Sequence, residues 1–127
     1  MRRPASVLTE QELEIMKIVW ELEKATVRDV YEQLRARRKI AYTTVMTMMN
    51  ILEQKGHLKK SRQDRAYLYQ STRPQKQVVR EMVREFVGRV FDGAAQPLLV
   101  HLVQDRKLDA KDLQELRRMV RGRQSPE

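Results

Sequence analysis

Apolar residues recur along the first half of the chain at intervals of three and four, and short polar gaps separate the runs. Leu13, Met16 and Trp20 keep helical spacing, with Ile15, Val19 and Leu22 broadening the stripe and Glu14, Lys17 and Glu21 lying away from it. Thr9 and Glu12 stand as a capping box, and Leu8 and Leu13 as a hydrophobic staple, so a helix is expected over 10–22. A second start at Thr26, with Asp29 three residues on and Val27, Val30 and Leu34 on one face, predicts a helix over 27–35. It runs into Arg35-Ala36-Arg37-Arg38-Lys39, cations that suit a helix C-terminus as well as they would suit phosphate. The third helix is expected over 43–55, where Lys55-Gly56 stops it. Val45, Met48, Met49 and Leu52 form its core side, which leaves Thr43, Thr47, Asn50 and Gln54 on a short, polar, uncharged outer face.

The period then changes. Leu58–Arg62 is strand-length but cationic, and Ala66–Gln70 alternates aromatic and non-aromatic residues, so a hairpin is expected with its turn at Gln63 and Asp64. No glycine fixes the type of that turn. Pro74 opens a long helix to Phe91, whose apolar residues come in pairs flanked by Arg80, Glu81, Arg84 and Glu85, and Asp92-Gly93 breaks it. A short apolar segment around Leu98, Leu99, Val100, Leu102 and Val103 follows. A last helix starts at Asp109, with Asp112 at N3 and a Leu108–Leu113 staple, and continues through Leu116 and Val120. There is no internal repeat, and only the two ends read as disordered.

The order of elements predicts a mainly α protein with a small β-wing. An N-terminal winged helix-turn-helix domain occupies 1–72 and a C-terminal helical dimerisation domain 73–127. A segment of about 50 residues rarely folds alone. The long helix cannot bury Val79, Met82, Val83, Phe86, Val87 and Val90 against itself, so a second copy is expected to cover them together with Leu98, Leu102, Leu113 and Leu116.

Charge narrows the partner. Lys and Arg number 26 against 17 Asp and Glu in 127 residues, a formal net charge of +9 that suits nucleic acid or an anionic membrane surface. The absence of cysteine excludes disulfide, zinc-thiolate and thiol-nucleophile chemistry. His57 and His101 have no histidine at ligand spacing, so both read as exposed or half-buried residues and no metal or cofactor is expected. No apolar run follows the charged start Met1-Arg2-Arg3, and Ile18-Val19-Trp20 and Leu98-Leu99-Val100 are far short of the roughly 20 residues of a membrane span. A cytoplasmic protein without membrane insertion is expected. It is not expected to be an enzyme, since no glycine-rich phosphate loop, paired carboxylates or nucleophile–histidine pair appears.

Three helices followed by a cationic hairpin is the order of a winged helix-turn-helix, in which the second helix of the motif enters the major groove. Thr43, Thr44, Thr47 and Asn50 are of the right types to read base edges, because Thr contacts either base type or the thymine methyl and Asn bonds adenine at two points. Lys59, Lys60, Arg62 and Arg65 would lie along the phosphate backbone. The blander readings are a solvated helix face and a charge-protected edge strand. Tyr67 and Tyr69 are expected to pack, one or both, against helices one and three, and Trp20 to be core. Two rival functions remain open: a winged-helix protein–protein interaction module, and a non-specific architectural nucleic-acid binder.

The chain also resembles a known family. Leu8-Thr9, Glu14-Ile15-Met16, Val19-Trp20, Thr26-Val27-Arg28-Asp29-Val30, Ala41-Tyr42-Thr43-Thr44-Val45-Met46-Thr47, Lys55-Gly56, Arg65-Ala66-Tyr67-Leu68-Tyr69 and Phe91-Asp92-Gly93 look like the penicillinase-repressor (BlaI/MecI) family. The resemblance implies a homodimeric winged-helix repressor that binds an inverted-repeat operator in double-stranded DNA, and it adds Arg28, Tyr42 and Met46 to the DNA-binding set. Met46 stands where many members carry a basic residue, and the wing turn lacks their usual glycine. The cysteine-rich tail of the copper-responsive branch is absent. Antibiotic-responsive members are cut in the tail by a partner membrane protease, which implies a membrane sensor protease or its effector as a partner. The matching bond here is His101–Leu102, in place of the usual Asn and Phe.

Overall fold

A computed structural model describes residues 8–105 and 107–123, with side chains as far as Met119. The reading of the two ends as disordered, and the place of the Val120 side chain, lie outside what is described. The first helix, α1 (Glu10–Leu22), starts at the expected capping box: Thr9 Oγ1 accepts from Glu12 N at 3.1 Å and Thr9 N donates to Glu12 Oε1 at 2.9 Å. Ile15, Met16, Ile18 and Val19 are buried, while Leu13 and Trp20 pack half-buried at the margin. Leu22 does not join them. It lies in the last turn, 36% exposed, just before Glu23 (φ 70°) turns the chain away in a tight turn closed by Lys24 N donating to Leu22 O at 2.8 Å.

Helix α2 (Val27–Arg35) is capped by Thr26 and Asp29 and buries Val30 and Leu34. Helix α3 (Tyr42–Gln54) buries Val45, Met49 and Leu52, with Met48 half-buried beside them. Gly56 (φ 90°) then turns the chain into the hairpin. His57, expected exposed or half-buried, is 1% exposed at this corner. Its N–H donates to Leu52 O at 2.9 Å, and its carbonyl accepts from Thr72 N at 3.0 Å.

Strands β1 (Leu58–Gln63) and β2 (Ala66–Ser71) pair antiparallel from Leu58↔Ser71 to Gln63↔Ala66. The two-residue turn is therefore Asp64-Arg65, one position later than expected. Asp64 takes φ 55°, the left-handed conformation that Asp tolerates better than most residues, which is why the turn closes without glycine. Ala25, between α1 and α2, exchanges backbone hydrogen bonds with Tyr69 at 3.0 and 2.8 Å and so ties the hairpin to the helices. Leu58 and Tyr69 complete the core from the sheet side.

Three further helices follow, α4 (Gln75–Phe91), α5 (Gln96–Gln104) and α6 (Ala110–Arg123). Asp92 and Gly93, both at positive φ, end α4 as expected. Asp109 and Asp112 cap α6 reciprocally, with Asp112 N donating to Asp109 Oδ1 at 2.9 Å. Two compact units emerge, one ending at Glu85 and the other starting at Phe86. The first unit takes in the start of α4 because Val78 is buried in its core and Met82 packs against it. In the second unit no described side chain is buried.

Candidate nucleic-acid interface

Burial of Val45, Met49 and Leu52 fixes which way α3 faces. Tyr42, Thr43, Thr44, Met46 and Thr47 are consequently exposed along its N-terminal half. No side chain caps this helix, whose N-cap is Ala41, so its first amide groups remain open to an outside acceptor. Asn50 departs from the expected exposed position. It is half-buried, and its Oδ1 accepts a 2.9 Å hydrogen bond from the Tyr69 hydroxyl. Burial, followed by the charge of Glu53, pushes the Tyr69 phenol above its ordinary pKa, so the hydroxyl remains a donor. Asn50 thus joins α3 to β2 as well as edging the outer face.

Strand alternation sorts the cations of the hairpin. Lys60 and Arg62 pair across the sheet with Tyr69 and Tyr67 and share their face, while Lys59 and Ser61 point to the other side. Lys60 Nζ lies 4.7 Å and Arg62 Cζ 5.6 Å from the Tyr67 ring centroid. Tyr67 is 44% exposed and cushions both cations, whereas Tyr69 is buried as expected. Arg28 lies 5.8 Å over Tyr42, which meets Tyr31 edge-on at 5.4 Å. Between α2, α3 and the hairpin runs a groove of about 490 Å³ lined by Arg28, Tyr42, Met46, Asn50, Lys60, Arg65 and Tyr67.

Of the site residues named from sequence in the first unit, the head, Arg28, Tyr42, Met46, Asn50 and Arg65 line this one groove. Thr43, Thr44 and Thr47 are exposed on α3, Arg62 lies against Tyr67, and Lys59 faces away. Sequence reasoning passed over Tyr67 as packing and left Lys60 as undifferentiated wing charge. The period of two along the strand was the available signal, since it places Lys60 with Arg62. Of the basic run at the end of α2, Arg38 pairs at the surface with Glu14 of α1, at 2.8 Å.

The apolar positions beyond the head divide. Val79, Val83, Phe86 and Val90 are 40–50% exposed and step along α4 by four, three and four, the spacing of a two-helix seam. Met82 instead packs on the head core, and Val87, Leu98 and Leu102 are half-buried. Leu113 and Leu116 are exposed, as are Leu99, Val100, Val103 and Met119. His101 is exposed on α5, its ring 5.9 Å from that of Phe91. Among the described residues no helix is long and apolar enough to cross a membrane.

Residues 8–122 match the model of the penicillinase repressor family. The chain belongs to that family. A transcriptional regulator BlaI of Mycobacterium tuberculosis is 35% identical over 115 residues, covering 89% of this chain and 82% of the relative. The methicillin resistance regulatory protein MecI of Staphylococcus aureus is 20% identical over 113 residues, covering 89% and 92%. Among solved structures, the DNA-binding domain of the repressor BlaI superposes with a TM-score of 0.53 at 24% identity over 59% of this chain and 90% of that one. Bacillus licheniformis BlaI, solved as a monomeric form in complex with the blaP half-operator, gives a TM-score of 0.51 at 24% identity over 60% and 92%. Both likenesses fix the fold of the head as a winged helix. This penicillinase-repressor member is a DNA-binding transcriptional repressor and not an enzyme.

Proposed function

We propose that the protein is a homodimeric repressor that places two heads on an inverted-repeat operator, with α3 reading bases and the hairpin holding phosphates. The observation that carries this reading is the exposure of Tyr42, Thr43, Thr44, Met46 and Thr47 on the N-terminal half of α3, whose Tyr42 and Met46 line a groove shared with the cations Arg28, Lys60 and Arg65. Short polar side chains discriminate bases, and the flanking cations supply sequence-independent affinity. Asn50 contributes at the edge of the reading face through its amide nitrogen. Lys60, Arg62 and Arg65 contact phosphate from the groove side of the wing, and Lys59, on its other face, adds only to the general positive field. The complex of Bacillus licheniformis BlaI with a half-operator supports a head that recognises one half-site.

Dimerisation is supported by the second unit, where no described side chain is buried although Phe86, Val90, Leu113 and Leu116 are apolar. A copy of the same chain supplies a self-complementary cover for Val79, Val83, Val87, Leu98 and Leu102 as well. Release by a membrane sensor protease cutting His101–Leu102 would sever α6 from α4 and dissolve the pair. The testing experiment is selection of bound sequences from random duplex by the purified protein. Recovery of an inverted repeat whose half-sites lie about one turn, roughly 34 Å, apart is expected. Recovery of no preferred sequence would leave an architectural binder or a protein-interaction module.

A further inference from the structure

We infer that the junction between β2 and α4 is a latch that sets the spacing between the two reading heads, with Arg73 and Glu81 as its positioning residues. The inference rests on the dimeric reading above. Only Thr72, Arg73 and Pro74 connect Ser71, the end of β2, to Gln75, the start of α4. A linker held by backbone alone would swivel, but here the junction is tied on several sides. Thr72 Oγ1 donates to Gly56 O at 2.7 Å, and Thr72 N to His57 O at 3.0 Å, pinning the linker to the corner after α3. Trp20 Nε1, from α1, donates to Ser71 Oγ at 2.8 Å and to Arg73 O at 3.2 Å. Arg73 Nη1 then reaches along α4 to Glu81 Oε1 at 2.7 Å, with the two side chains only 15% and 22% exposed.

The grip is one-sided. Val78 and Met82, one turn apart, face the head core, with Val78 1% exposed, while Val79 and Val83 are 40% and 50% exposed. Those two exposed valines belong to the same compact unit as α3. Any partner that covers them is therefore oriented with respect to the reading helix through this junction. Two apolar contacts resist lifting α4 off the head but resist rolling poorly. A shielded, charge-assisted pair is directional and resists rolling. Spacing selection follows, because two linked heads engage DNA together only when their separation and phase match the half-sites.

The test uses the full chain and an inverted repeat selected from random duplex, rebuilt with the centre shortened or lengthened by single base pairs, beside a duplex with one half-site. The wild-type protein is expected to bind about 100-fold more weakly at the mismatched spacings, where the two heads cannot engage together. Glu81→Gln and Trp20→Phe are expected to flatten that profile while leaving one-half-site affinity unchanged. Combining Arg73→Glu with Glu81→Arg is expected to restore its steepness, which general damage to the head would not allow. A Glu81→Gln profile as steep as the wild type's overturns the latch and leaves the dimer standing. Equal losses at every spacing and on the single half-site overturn it too, by making the pair part of the head's fold. A flat wild-type profile overturns the latch and the dimeric reading together.

Discussion

At the scale of single residues, Glu12 does two jobs. It caps α1 through Thr9, and its Oε2 holds Lys55 Nζ at 2.7 Å just past the C-terminal end of α3, so the two helices are tied together. Burial pushes its carboxyl pKa up, but the hydrogen bond and charge of Lys55, with the bonds to Thr9, bring it below the ordinary value. The folded pKa is thus depressed, so the stabilisation is complete above the unfolded carboxylate range. It is lost as pH falls through the lower, folded value. Glu12→Gln should flatten the acid limb of a stability-against-pH curve, and an unchanged limb would show the pair to be idle. Lys55→Met leaves the carboxylate buried without its cation. For a fully buried pair that costs about 3–5 kcal/mol, but Lys55 is 38% exposed, so about 1–3 kcal/mol by chemical denaturation is expected. On the exposed N-terminal half of α3, Thr47→Ala should cost about 1–3 kcal/mol on the operator and little on random duplex. Equal losses on both would move Thr47 from reading to positioning.

At the scale of elements, the hairpin has the clearest signature in solution. Replacing Lys60 or Arg62 by Gln should weaken operator and random DNA together and flatten the log-affinity against log-salt slope by about one for each phosphate no longer neutralised. An unchanged slope would mean that the cushioned cations touch no phosphate. Tyr67→Leu should lower affinity with the charge intact, since it removes the ring that orders both. Helices α1 and α2 were legible in the sequence through the local capping boxes of Thr9 with Glu12 and Thr26 with Asp29, and α3, which has none, through the three–four period of Val45, Met49 and Leu52 and the stop at Gly56. The exposed positions of Thr43, Thr47 and Gln54 were legible for the same reason. What stayed hidden depends on partners far along the chain: Tyr69 taking up Asn50 across 19 positions, Trp20 reaching Ser71 across 51, and Lys55 drawn to Glu12 across 43. Burial of His57 belongs here as well, since its corner is built by Leu52 and Thr72. No periodicity encodes such pairs. The shift of the wing turn is a smaller miss: the strand was ended at Arg62, whereas Gln63 still pairs with Ala66 and leaves Asp64-Arg65 as the turn.

At the scale of the whole molecule, the second unit has apolar side chains but, among the described residues, none buried. Val83→Glu or Phe86→Glu, each in the middle of the exposed seam, should convert dimers to monomers by sedimentation and weaken operator binding far more than half-site binding. The same shortage of burial bears on how repression ends. The His101–Leu102 bond lies inside α5, with His101 O accepting from Asp105 N at 2.9 Å and Leu102 O from Lys107 N at 2.9 Å. A protease needs extended backbone, so this helix must open before it is cut. Opening is easy where few apolar contacts resist it, and harder once a partner copy covers the same surface. Limited proteolysis of the purified protein should therefore cut after Phe86 before it cuts the head. The rate should fall as protein concentration rises through the dimer range, and bound operator should slow it further. A rate independent of concentration would separate cleavage from dimerisation and remove the physical basis for release by this route. In cells exposed to a cell-wall antibiotic, fragments parted at 101–102 should accompany derepression. Full derepression with the chain intact by mass would exclude cleavage as the signal.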